Sequence, residues 1–146
     1  MVAKELNNNF LSGKSHGEAI FQKYGFSGAR GEAESGFELV FGYGLPQLSG
    51  LTVLNDNALI KCFLAIASKN NDTNILYRRG PEVLSAFQEL CKEAAENFNE
   101  ARYAKVIEFC KNENISPGGS ADLLALSIFV RLVIDANRKE DKIDSK

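Results

Sequence analysis

The chain has 146 residues, 45% of them hydrophobic and 25% charged, with 17 Lys+Arg against 19 Asp+Glu and a formal net charge of −2. That is the composition of one globular domain with enough chain for a core, and not of a disordered segment. The charge balance argues against a nucleic-acid glove, because tracking phosphates needs a clear Lys/Arg excess, but it leaves room for a local anion pocket.

The three cysteines, Cys62, Cys91 and Cys110, include no C-x-x-C, and His16 is the single histidine. A structural zinc site and a disulfide framework are therefore not expected, and reduced, buried thiols in a cytoplasmic protein are. The opening Met1–Asn9 segment has no apolar core of the signal-peptide kind. No apolar stretch is long and unbroken enough to span a bilayer, so no membrane is expected.

In chain order, the first informative segment is Ser15-His16-Gly17-Glu18, followed by Gly25, Gly28 and Gly31 with Arg30 and Glu32 among them. Glycines permit sharp turns and close approach to a ligand. Arg30 offers a planar fork suited to phosphate, and Glu32 a carboxylate beside it. The plainer alternative is a turn, a surface ion pair and a helix start. His16 is a minor candidate for proton transfer.

Leu59 to Ala67 is apolar on nearly all sides, interrupted by Lys61, and predicts a central helix. The polar run Asn70-Asn71-Asp72-Thr73-Asn74 follows as a loop. Asp72 or Thr73 can cap a helix there. Asp72 and Asn74 are also oxygen ligands of the kind magnesium accepts, and Arg78 falls one helical turn after Asn74. Gly80-Pro81-Glu82 then starts a helix, with Pro and an early acid suited to its first turn. Val83, Leu84, Phe87, Leu90, Cys91 and Ala94 give that helix one apolar face. Tyr103, Val106, Ile107 and Cys110 form a second such stripe.

Pro117-Gly118-Gly119-Ser120 precedes the apolar run Leu123–Ile134, which is interrupted by Ser127 and Arg131 and is expected, like Leu59–Ala67, at the centre of the domain. A Gly-Gly-Ser helix start exposes unpaired N–H groups, a ready anion site. Asp122 is expected inside the first turn, either as a dipole-favoured helix-start residue or as a metal or hydroxyl ligand. Residues 138–146 are mostly charged and expected to fray. No segment alternates with period two, so the fold is read as all-α, about six or seven helices in one domain over residues 1–137.

Three segments, G-A-R-G-E-A at 28–33, D-T-N-x-x-x-R at 72–78 and I-S-P-G-G-S-A-D-L-L-A-L at 115–126, closely resemble the triphosphoribosyl-dephospho-CoA synthase family, from about His16 to Ile134. That family makes the prosthetic-group precursor of citrate lyase and of malonate decarboxylase. The resemblance is to its C-terminal half. The Pro-Lys-Pro-Gly-like and Asn-Thr-His-Lys-Gly-like segments of the family's first half do not occur, and Arg79 stands where the family tends to have the first of two glycines.

The resemblance implies transfer of triphosphoribosyl from ATP to the ribose 2′-hydroxyl of 3′-dephospho-CoA, with adenine released. It implies catalytic roles for Glu32 and Asp72. Nucleotide or phosphate binding falls to Arg30, Asn74, Arg78, Ser116, Gly118, Gly119 and Ser120, with Mg2+ held by Asp72 and Asp122. The substrates, ATP and 3′-dephospho-CoA, would meet a site completed by a separate N-terminal half or a second copy of the chain. The alternative is a nucleotide-binding or non-catalytic helical assembly module.

Overall fold

The computed structural model describes residues 31–33, 35 and 37–145; His16, Gly25, Gly28 and Arg30 lie outside them. The described part is all-α. A π-helical segment, Val40–Gly44, runs into α1 (Leu45–Leu48), followed by α2 (Asp56–Ala67), α3 (Thr73–Arg79), α4 (Pro81–Glu96), α5 (Glu100–Glu113) and α6 (Gly118–Asp144). Among the described residues there is no strand, and no helix is long and apolar enough to cross a membrane.

The helix starts follow local chemistry. Asn55 accepts from the Ala58 N–H at 2.9 Å, Asp72 from the Asn74 N–H at 3.0 Å and Asn99 from the Arg102 N–H at 2.8 Å. Each side chain satisfies an N–H that the helix itself leaves unpaired. Gly80 separates α3 from α4 without a loop. Its φ of 83° and ψ of −177° form a backbone state closed to residues with a Cβ, and Pro81 then opens α4. Arg79 ties the end of α3 to the end of α5: its guanidinium meets the Glu113 carboxylate at 2.6 Å and donates to the Glu113 carbonyl at 2.7 Å.

Two apolar clusters share the interior. One joins Leu64 and Ala67 of α2, Ile75 and Leu76 of α3, Leu84, Phe87 and Cys91 of α4, and Val106 of α5. The other joins Val40, Leu48, Ala58, Cys62 and Ile66 to Leu123 of α6. Helix α2 contributes to both and packs on the π segment, α1, α4 and α6, so it occupies the centre as its all-round apolarity predicts. Close approach at its edge depends on Gly44, where an added Cβ would lie 2.4 Å from Ser127 Oγ and 2.9 Å from Ile66 Cδ1.

Three expectations change at α6. This helix is not central: Ser120, Leu123 and Ser127 are buried, but Phe129, Leu132 and Val133 are exposed by 61, 56 and 41%. Apolarity on all sides marks surfaces that can be covered, and here only one side is. Asp122 falls beyond the first turn, because the helix begins at Gly118 behind Pro117. The charged stretch after residue 137 remains helical to Asp144; Arg, Lys and Glu are good helix formers, and a helix already nucleated extends through them at little cost.

The interruptions in α6 also acquire reasons. The Ser127 hydroxyl returns a hydrogen bond to the Leu123 carbonyl at 2.8 Å, so a buried polar group is satisfied within its own helix. Arg131 donates from Nε to both Asp135 oxygens at 3.0 Å, and from Nη2 to the Leu51 carbonyl, anchoring α6 to the segment after α1.

Candidate functional site where two helix starts meet

Asp72 is 1% exposed, a burial that a carboxylate tolerates only with partners. It has three. Oδ1 accepts from the Asn74 N–H at 3.0 Å, while Oδ2 accepts from the Ser120 N–H at 2.9 Å and from the Ser120 hydroxyl at 3.1 Å. The first bond caps α3. The second caps α6, whose own N-cap residue, Pro117, makes no side-chain cap. One carboxylate thus serves two helix N-termini 48 positions apart, and both helix dipoles favour its negative charge.

A second ring of polar groups holds this clamp. Asn70 Nδ2 donates to the Ser120 hydroxyl at 3.1 Å, and Gln88 Nε2 donates to the Asn70 carbonyl at 2.9 Å. Gly119 lets the two motifs close: an added Cβ would sit 3.3 Å from Asp72 Oδ2. Asn70 and Gln88 were not candidates in the sequence. Asn70 lay in a run that reads as a polar loop, and Gln88 in a helix with nothing to distinguish it from other solvated residues.

The clamp redistributes the donors of the Gly-Gly-Ser turn. The Ser120 N–H goes to Asp72, and the Gly118 N–H to the Ser116 carbonyl at 2.9 Å. The Gly119 N–H has no hydrogen-bond partner among the described residues. The α6 start is therefore an anion site whose resident anion is Asp72, with Gly119 as its remaining free donor.

The exposed rim comes from α3 and α6. Asn74 leans on Gly118, where a Cβ would meet its amide nitrogen at 2.6 Å. Arg78, one turn further along α3, is exposed, its side chain has no ion pair or hydrogen bond among the described residues, and it borders a recess of about 270 Å³ with Arg79, Glu113 and Asn114. Ser116 is exposed beside the turn, and Asp122 is exposed on α6. A larger apolar recess of about 440 Å³, walled by Phe63, Tyr103, Ile107 and Ile115, reaches Pro117.

Glu32 stands apart. It is buried, its carboxylate accepts from the Leu39 N–H, and its carbonyl accepts from Phe37 and Ser35. Among the described residues no three His, Cys, Asp or Glu side chains gather as a metal site. The thiols stay outside this chemistry. Burial pushes Cys62 up to about 11, partly offset by a hydrogen bond from Ser127, and pushes Cys91 up to about 12, with Cys110 adding to the effect; burial also raises Cys110.

The fold and this surface define an all-α domain that builds a polar site at the junction of two helix starts. The chain belongs to the CitG family of ATP:dephospho-CoA triphosphoribosyl transferases, whose model matches residues 2–141. It is 35% identical to a probable 2-(5″-triphosphoribosyl)-3′-dephosphocoenzyme-A synthase of Photobacterium profundum, covering 87% of this chain and 43% of the relative. It is 38% identical to the 2-(5″-triphosphoribosyl)-3′-dephosphocoenzyme-A synthase of Haemophilus ducreyi, covering 77% and 37%, and 33% identical to a probable synthase of Malonomonas rubra, covering 95% and 48%. The chain therefore spans less than half the length of these curated relatives. No solved structure matches it.

Proposed function

We propose that this chain carries part of the surface on which triphosphoribosyl passes from ATP to the 2′-hydroxyl of 3′-dephospho-CoA with release of adenine, and that it is incomplete as a catalyst alone. The observation supporting this reading is the Asp72 clamp, which sets Asp72 and Asn74 of one family-like motif against Gly119 and Gly118 of the other.

The reaction breaks the ribose–adenine bond and forms a new glycosidic bond, while the triphosphate stays on the sugar. The departing base needs a proton, the attacking hydroxyl must lose one, and the positive sugar needs nearby negative charge. In this proposal Arg78, Arg30 and the free Gly119 N–H bind phosphate oxygens, with Asn74 and Ser116 orienting them. Asp72 acts as a positioning residue, since its oxygens already hold both helix starts. Glu32 is the candidate base. Magnesium would arrive with the triphosphate and neutralise part of its charge. It usually keeps waters and takes one or two carboxylates, for which exposed Asp122 suits better than the filled carboxylate of Asp72. Three free cysteines fit a reducing cytoplasm.

The test is adenine release from ATP and 3′-dephospho-CoA with magnesium. It compares this chain alone, the chain combined with the uncovered part of a relative, and the same combination carrying Arg78→Ala. Release by the combination, lowered at least about tenfold by Arg78→Ala, is expected. A folded combination that releases no adenine would sink the proposal.

A further inference from the structure

The outer side of α6 has a regular pattern. Asp122, Ala125, Phe129, Leu132, Ala136, Lys139 and Ile143 succeed one another at alternating steps of three and four residues, and all are exposed. Phe129, Leu132 and Ile143 expose 61, 56 and 72% of their surface, with Val133 beside them at 41%. Steps of three and four keep residues on one line of a helix and form the seam that a second helix packs against. A solvated face would carry charge at these positions; Ala125 to Ala136 carries none.

The head of this stripe is the candidate site. Asp122 follows Gly118 by one helical turn, and Asn74 lies against Gly118. A helix laid along the stripe would end over those residues.

We infer that the stripe from Ala125 to Ala136 is the docking seam for an apolar-faced helix from the part of the family's length that this chain does not cover, and that this helix closes the candidate site at Asp122. The relatives argue for that occupant: more than half of each lies outside the match, with 43, 37 and 48% covered. A protein of that size does not leave so apolar a helix face in water when it has chain to cover it. The occupant is either continuous with this chain or a separate polypeptide. The inference rests on family membership and the exposed seam, and not on the chemical roles proposed above.

The experiment uses this chain with Leu132→Cys, an exposed position, and the uncovered part of the Haemophilus ducreyi relative as a second polypeptide. Maleimide labelling is resolved by peptide mass spectrometry, so the buried native thiols are counted separately. Rapid labelling of the chain alone is expected, slowed at least about tenfold in a one-to-one complex seen by sedimentation. Phe129→Asp with Leu132→Asp is expected to weaken that complex roughly a hundredfold. If the second polypeptide is insoluble alone, the two are produced as one linked chain and the same labelling is read.

Three results overturn the inference: labelling as fast in the complex or linked chain as in the chain alone; a complex indifferent to the Asp substitutions; or slow labelling in the chain alone, meaning that its own remaining residues or a second copy covers the seam. Adenine release is read separately, so a docked but inactive complex leaves the seam intact and counts only against the proposed chemistry.

Discussion

The cluster around Phe87 and the cluster around Cys62 start from the same helix, α2, and end differently. Around Phe87, helices α2 to α5 surround one another, and Phe87, Cys91 and Ala94 are fully buried. Around Cys62, the layer ends on α6, whose inner side is buried as far as Ser127 and whose outer side is apolar and wet. The first region is finished by its own residues. The second is finished on one side of α6, and Asp122, at the head of that helix, lies on its exposed side. The two clusters thus differ in how far this chain's described residues close them.

Substitutions can break or sharpen that contrast. The largest effect is expected for Phe87→Ala, a loss of about 4 kcal/mol in urea unfolding, because a closed cluster cannot collapse onto the cavity. Next is Asp72→Ala, at about 3 kcal/mol. It removes the cap of α3 and leaves the buried Ser120 N–H without an acceptor. Hydrogen exchange should show fraying at residues 73–74 and 118–120 before the Phe87 region loosens.

The pH effect is smaller and comes from one buried thiol in each cluster. Burial holds Cys91 at about 12 and Cys62 at about 11, above the ordinary 9.0. The unfolded chain ionises its thiols first, so the folded state binds more protons in that window. The contribution is complete below pH 9.0 and is lost progressively as pH rises toward the folded values. Melting temperature should therefore fall as pH rises from about 9 toward those folded values, and less so in Cys91→Ala. The smallest effect is expected for Leu132→Ala in the chain alone, within about 0.5 kcal/mol, since nothing packs on it there. A loss as large as that of Phe87→Ala would mean that the outer side of α6 is already covered.

Much of the fold was legible in the residues. The apolar stripe of α4 and its Pro81-Glu82 start need only local rules, and Asp72 as a cap follows from its short acceptor side chain. The all-round apolarity of Leu59–Ala67 placed α2 at the centre. The same rule misplaced Leu123–Ile134, because apolarity records what a helix is able to bury and not what this chain has available to bury it. The candidate site was legible as three motifs and not as a geometry. Nothing local says that Asp72 will spend both oxygens on two helix starts, that Asn70 and Gln88 will brace it, or that Glu32 will accept from the Leu39 N–H.

The residues by themselves determined the all-α class, the apolar stripe and Gly-Pro start of α4, the Asp72 cap of α3 and the family. These follow from periodicity, backbone stereochemistry and motif, all of which act within a few positions of chain. Tertiary structure alone decided that Asp72 closes the start of α6, that Gly119 keeps the turn's one free N–H among the described residues, and that α6 presents an apolar seam to water. Those outcomes depend on which distant segments meet, and a hydrogen bond between positions 72 and 120 leaves no periodic trace in the chain that makes it.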